Sequence, residues 1–141
     1  MNKAHNRKGS ERLPMPWHGW LLGGMLFLFG LLSSFDFIMS VTQGETYFRS
    51  SGMTDSQILY YSNFPIWATF GWAMSVWGGL FASGAMLLHY RQSIVLYVIT
   101  LTGSLLFIVF SYFFSAGLEA MGVLWPMPII LALITLFMIF Y

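Results

Sequence analysis

Residues 17–41 read WHGWLLGGMLFLFGLLSSFDFIMSV. With histidine neutral, the stretch carries a single charge, the carboxylate of Asp36. A helix needs about 17–25 predominantly apolar residues to cross the hydrocarbon of a bilayer, and this run meets that length. Insertion scales penalise a charge at a helix centre by roughly 2.5–3.5 kcal/mol, which makes an intramembrane carboxylate a functional-site candidate by default. The stretch therefore sets the class of molecule, and Asp36 marks where to look for a site.

The rest of the chain agrees. Of 141 residues, 57% are hydrophobic and 8% charged, against about 25% charged in a soluble domain. Mean hydropathy is +0.71. Six Lys and Arg against five Asp and Glu leave a net charge of +1, too little basic surface to neutralise a nucleic-acid backbone. There is no cysteine, so thiol nucleophiles, disulfide relays, zinc–thiolate sites and iron–sulfur clusters are excluded.

Four runs are long enough to span: 17–41, 66–88, 93–114 and 123–141. A closed β-barrel would need alternating apolar and polar residues. Leu21 to Leu32 and Leu105 to Phe110 show none, so the spans read as helices. Lys3, Arg7, Lys8 and Arg12 precede the first span, and Arg91 sits in the second connection; the outer connections carry only Arg49. The inside-positive bias puts the N-terminal segment 1–16 and, with four spans, the C-terminus in the cytoplasm. The first run exceeds the 7–15 residues of a signal-peptide core, so it reads as a retained anchor. Tyr141 directly follows an apolar helix; an aromatic end suits the interface, unless a tail continues beyond it.

Segment 42–65 is the one sizeable outer connection. Thr54-Asp55-Ser56-Gln57 fits a capping box, and Ile58, Leu59, Tyr60 and Tyr61 then suggest a short helix lying on the membrane surface. Asn63 and Pro65 restart the chain into the second span. The region 17–141 reads as one domain.

Ser33, Asp36, Ser40 and Gln43 share one helix face in the outer third of the first span. Two readings follow. Asp36 lines a small outward-facing pocket with Ser33, Ser40 and Asn63 and binds a cation, proton or solute hydroxyl. Or it is an anchor that accepts from Ser40, Asn63, Tyr61 or Arg49 and ties down the outer loop. Gly71, Ser75, Gly79 and Ser83 form a small-residue ridge on the second span, echoed by Gly19 and Gly23 on the first and Thr100 and Ser104 on the third. Such ridges let backbones approach closely, within a bundle or across a homo-oligomer seam. Trp17, Trp20, Trp67 and Trp125 fall near span ends, as an aromatic belt does. Trp72 and Trp77 lie deeper, about 140° apart around the helix, so they form no common face. His18 and His89 fall at cytoplasmic helix ends, shallow for haem or metal ligands; Glu119 reads as solvated. No phosphate loop, serine nucleophile motif or HExxH helix is present.

Phe35-Asp36-Phe37-Ile38-Met39, Tyr47, Thr54 to Gln57, Phe64-Pro65-Ile66-Trp67, Trp72-Ala73, Val76-Trp77-Gly78-Gly79, Ser83 and Leu87-Leu88 follow one another in an order and spacing that resembles a family of small four-span bacterial membrane proteins. That family lacks an established activity, and some relatives carry a sugar-transporter label. The resemblance covers about residues 35–91. Relatives have an Arg-rich second connection and a basic tail, where this chain has His89-Tyr90-Arg91 and ends at Tyr141. The resemblance implies an inner-membrane four-helix protein and supplies no substrate.

The expectation is an all-α, four-helix transmembrane bundle with a short interfacial helix in the first outer loop. Its setting is the bacterial inner membrane, with lipid as partner and an oligomer or accessory subunit as the form. The expected role is non-enzymatic, without catalytic residues, metal or cofactor. The alternative is a small-solute transporter or channel subunit with its site at Asp36. A haem or quinone protein using His18 and His89 is the distant third.

Overall fold

The computed structural model describes residues 15–141. Lys3, Arg7, Lys8 and Arg12, which carry most of the inside-positive signal, lie outside the described residues. The chain is all-helical, with no strand among the described residues. Helix α1 spans Trp17–Gln43, α2 Glu45–Ser50, α3 Asp55–Ser62 and α4 Ile66–Leu87. Then come α5, Ser93–Phe114, whose last turn Phe110–Phe114 is a π-helix, α6, Gly117–Met121, and α7, Met127–Phe140.

Each boundary has a local cause. Gly44 stops α1 at φ 52°, and its N–H donates to Ser40 O at 3.1 Å; a positive φ of this kind suits glycine, which has no Cβ. Helix α2 begins at once, an element the outer loop was not expected to contain. The capping box of α3 is formed on both sides: Thr54 Oγ1 accepts from Gln57 N–H, and Thr54 N–H donates to Gln57 Oε1 at 3.0 Å. Pro65 precedes α4, where its fixed φ and missing N–H cost nothing. At the other end of α4, His89 takes φ 60° and Tyr90 N–H reaches back to Ala85 O at 2.8 Å, closing a Schellman turn.

The last helix departs from expectation. Instead of a run over 123–141, helix α7 starts at Met127, and the pair Gly117–Leu124 and Met127–Phe140 is bent by 73°. Gly122 has φ 53°, Pro126 caps α7 and Pro128 lies in its first turn. Proline supplies no N–H, so helix cannot run through from α6. The 14 residues of α7 rise roughly 21 Å at about 1.5 Å each, short of a hydrocarbon core of about 30 Å. Three helices, α1, α4 and α5, are long and apolar enough to cross a membrane, and a fourth if the bent pair counts as one span.

The long helices pack in chain order: α1 along α4, α4 along α5, α5 along α7. Helices α1 and α7 share no extended packing, although His18 Nδ1 and Tyr141 Oη hydrogen-bond at one end. Small residues set the closest approaches. A Cβ on Gly103 would stand 2.6 Å from Gly71 O and Ser75 N, and one on Gly30 would stand 3.0 Å from Leu80 Cα. Such crossings gain dispersion contacts where apolar surroundings give helices no hydrophobic reason to associate.

The interior and surface are reversed relative to a water-soluble protein. Ser34, Ser83, Thr100, Ser104 and Ser111 are buried, while Leu28, Leu32, Phe70, Phe113 and Leu133 are exposed. Most of these hydroxyls bond a carbonyl of their own helix, for example Ser34 to Gly30 O at 2.7 Å and Ser83 to Gly79 O at 2.8 Å. Large contiguous apolar surface is rare on soluble monomers; with three to four apolar helices it is consistent with a membrane-embedded protein.

Candidate functional site: a cleft beside Asp36

Because α1 and α7 do not close on each other, a cleft of about 500 Å³ runs between α1, α4, α5 and α7. That volume is within the usual range for small-molecule sites, about 300–1,000 Å³. On α1 its wall extends from Leu26 to Asp36 and on α7 from Met127 to Met138, so it is elongated, about 15 Å at 1.5 Å per residue. Asp36, Ser33, Trp72, Ser75 and Gly79 face it, with Thr100 and Ser104 from α5.

Asp36 stands seven residues before the end of α1, about 10 Å in at 1.5 Å per residue. Its Oδ1 accepts from Tyr47 Oη at 2.7 Å. None of Ser40, Asn63, Tyr61 or Arg49 bonds it, and its second oxygen takes no hydrogen bond from the described residues. Gly44 makes this pairing: by breaking the helix it lets α2 bring Tyr47 over the carboxylate. The carboxylate holds the Tyr47 phenol above its ordinary pKa, because the hydrogen bond needs the proton and a phenolate would face a second negative charge. Arg49 instead bridges Glu45 at 2.8 Å and Asp55 at 3.3 Å, all three exposed.

The expected polar stripe divides. Ser33 and Asp36 line the cleft, Ser40 is buried away from it, and Gln43 is exposed. Asn63 is not at the site either: its Nδ2 donates to Leu59 O at 2.8 Å, closing the last turn of α3. The α4 ridge divides too. Gly71 packs on Leu106 and Gly103 of α5, Ser83 is buried, and Ser75 and Gly79 face the cleft.

Helices α3 and α6 stand at one end of the cleft, which Gln57 and Tyr61 line from α3 and Ala120 and Met121 from α6. Gln57 Nε2 donates to Ala120 O at 2.9 Å and locks the two helices together. Helix α3 does not present its aromatic residues outward as an interfacial helix would. Ile58 and Tyr60 are buried, and Tyr60 Oη donates to Ser111 Oγ of the π-turn at 2.8 Å. Burial raises the Tyr60 phenol. Burial, then Tyr60 and Asp36, push the Tyr61 phenol up to about 12, so it faces the cleft as a neutral hydroxyl.

Aromatic rings brace this end. Trp72 meets Phe37 edge-on at 5.0 Å and lies 6.2 Å from Tyr61 and 6.0 Å from Phe64; such pairs contribute about 0.5–1.5 kcal/mol each beyond area. Trp77 turns away and stacks on Phe81. His18 and His89 do not line the cleft; His89 meets the edge of Trp20 at 5.7 Å. Among the described residues no cluster of His, Asp and Glu could hold a metal ion. Glu119 is exposed.

The site residues that sequence reasoning missed are Tyr47 as the partner of Asp36, Gln57 as a tie to α6, and Thr135 on α7. For Tyr47 a signal existed: Gly44 followed by Glu45-Thr46-Tyr47 is a helix stop and restart that brings position 47 back toward 36. Thr135 had none. Comparison with family models, curated proteins and solved structures finds no match to this chain.

Proposed function

We propose that the protein is a non-enzymatic, four-crossing integral protein of the bacterial inner membrane, with both ends cytoplasmic. In this reading it is a binding or accessory subunit that holds a small ligand at Asp36. The bent pair α6 and α7 makes the fourth crossing, and Arg91 keeps the α4–α5 turn inside. The resemblance over residues 35–91 points the same way. One observation carries the ligand reading: the Asp36 carboxylate opens onto a cleft of about 500 Å³ with one of its oxygens unengaged. A group that needed only anchoring would be paired on both oxygens and enclosed. Tyr47 orients the carboxylate, Trp72 offers a ring to stack against, and the ligand supplies a positive charge or hydrogen-bond donors. Helices α3 and α6 across one end favour retention over passage, so binding is preferred to transport.

The test is ligand-dependent stabilisation of purified protein. At a hundred times Kd a ligand adds about 2.7 kcal/mol. A panel of small amines and polyols should raise the melting temperature of the wild type, and Asp36→Asn should remove the rise while keeping the helical circular dichroism spectrum. Equal stabilisation of both proteins by every active compound would contradict the assignment.

A further inference from the structure

The distribution of unspent polar groups along the cleft is uneven. Thr100 Oγ1 donates to Leu96 O at 2.8 Å, Ser104 Oγ to Thr100 O at 2.9 Å and Thr135 Oγ1 to Leu131 O at 2.8 Å. Their protons are used within their own helices, and the Tyr97 hydroxyl on the same wall donates to Met86 Sδ at 3.7 Å, so this wall is poor in free donors and otherwise presents carbon and sulfur. Around Asp36 the reverse holds. Ser33, Tyr61 and Ser75 make no side-chain hydrogen bond to the described residues, and the second Asp36 oxygen is unengaged. The cleft is thus polar and negative at one end and apolar along the rest of its length of about 15 Å.

Its access matches. Helices α3 and α6 stand across the polar end, tied by the Gln57–Ala120 hydrogen bond. Helices α1 and α7, by contrast, share no extended packing along the flank. A ligand that enters sideways between two apolar helices comes from the lipid phase.

Resting on the reading of Asp36 as a ligand site, we infer that the ligand is a single-chain amphiphile with a cationic head. The head pairs with Asp36 beside Tyr47, and the chain lies along Gly79, Thr100 and Leu131. Charge complementarity selects the head: a carboxylate repels anionic amphiphiles. The chain concentrates the ligand in the lipid beside the gap and then fills the slot by van der Waals contact, since lipid tails are as apolar as the cleft wall. Gly79 leaves the slot open; a Cβ there would meet only Thr100 Cγ2, at 3.6 Å.

The test is equilibrium binding to full-length protein in lipid nanodiscs, with empty nanodiscs subtracted. The probes are radiolabelled dodecyltrimethylammonium, choline as head alone, and dodecyl sulfate as the anionic counterpart. The expected result is saturable one-to-one binding of dodecyltrimethylammonium, at least tenfold weaker in Asp36→Asn and, separately, in Gly79→Leu, both variants keeping wild-type helicity. Choline should bind at least a hundredfold more weakly, and dodecyl sulfate should not saturate. Choline bound as tightly as the long-chain probe and indifferent to Gly79→Leu would overturn the amphiphile and keep the Asp36 site. Long-chain binding unchanged in both variants would mean partitioning into lipid and overturn the inference. No saturable binding of any probe would overturn it too, and the small-molecule stabilisation panel would then decide the Asp36 site alone. A second copy of the chain filling the gap between α1 and α7, seen as cross-links between cysteines placed there, would also overturn it.

Discussion

At the scale of single residues, the account turns on the Asp36–Tyr47 hydrogen bond. The phenol must be protonated to donate, and the carboxylate raises its pKa above the ordinary 10. A group whose folded pKa is raised contributes its stability fully below the unfolded value and loses it as pH rises through the folded one. Wild type should therefore lose stability relative to Tyr47→Phe only above pH 10. Below that, Tyr47→Phe should cost at most about 1 kcal/mol, since the bond faces an open cleft and net hydrogen-bond contributions are of that order. Denaturant unfolding in micelles from pH 8 to 11 measures both. Phenolate absorbance supplies a companion reading: Asp36→Asn should bring one tyrosine titration back toward 10, while Tyr61 stays near 12 because burial dominates there. An unchanged tyrosine titration in Asp36→Asn would mean that the two side chains do not meet.

At the scale of elements, backbone crossings and caps make separable predictions. A Cβ on Gly103 would stand 2.6 Å from backbone atoms of α4, which cannot yield as a flexible side chain would. Gly103→Ala should thus cost about 1–3 kcal/mol, the usual range for overpacking. Gly79→Ala, with ordinary van der Waals clearance, should be nearly neutral; equal effects at the two positions would contradict the helix order. Thr54→Ala should cost about 1 kcal/mol through the lost N-cap and increase amide exchange in α3. How far these elements could be read in advance depended on the kind of signal. Apolar runs of span length showed α1, α4 and α5, and Thr54 with Gln57 showed the start of α3, because those signals are local. Helix α2 was hidden because its signal is one glycine inside a polar loop. The start of α7 was misplaced because Pro126 and Pro128 sit within an unbroken apolar run, where hydropathy outweighed the missing N–H groups. At the site, Asp36 and Ser33 could be singled out because a charge in an apolar helix stands out. Asn63 and Ser40 could not be separated from them, since their directions depend on Gly44 and on the last turn of α3.

At the scale of the whole molecule, large apolar residues outside and small hydroxyl residues inside are consistent with a membrane-embedded chain, with the cleft as the gap between α1 and α7. The ridge from Gly71 to Ser83 had two readings in the sequence, and the structure uses Gly71 for contact with α5 and turns Ser75 and Gly79 to the cleft. The central claim is that these helices cross a bilayer, with the α2–α3 connection and Glu119 on one side and Arg91 on the other. Because the chain has no cysteine, single substitutions Ser56→Cys, Glu119→Cys and Arg91→Cys report without background. An impermeant thiol reagent applied to intact cells should modify positions 56 and 119 and leave 91 unmodified until the membrane is opened. Modification of all three in intact cells, or of 56 and 91 alike from one side, would mean that α4 does not cross, and the account would fail.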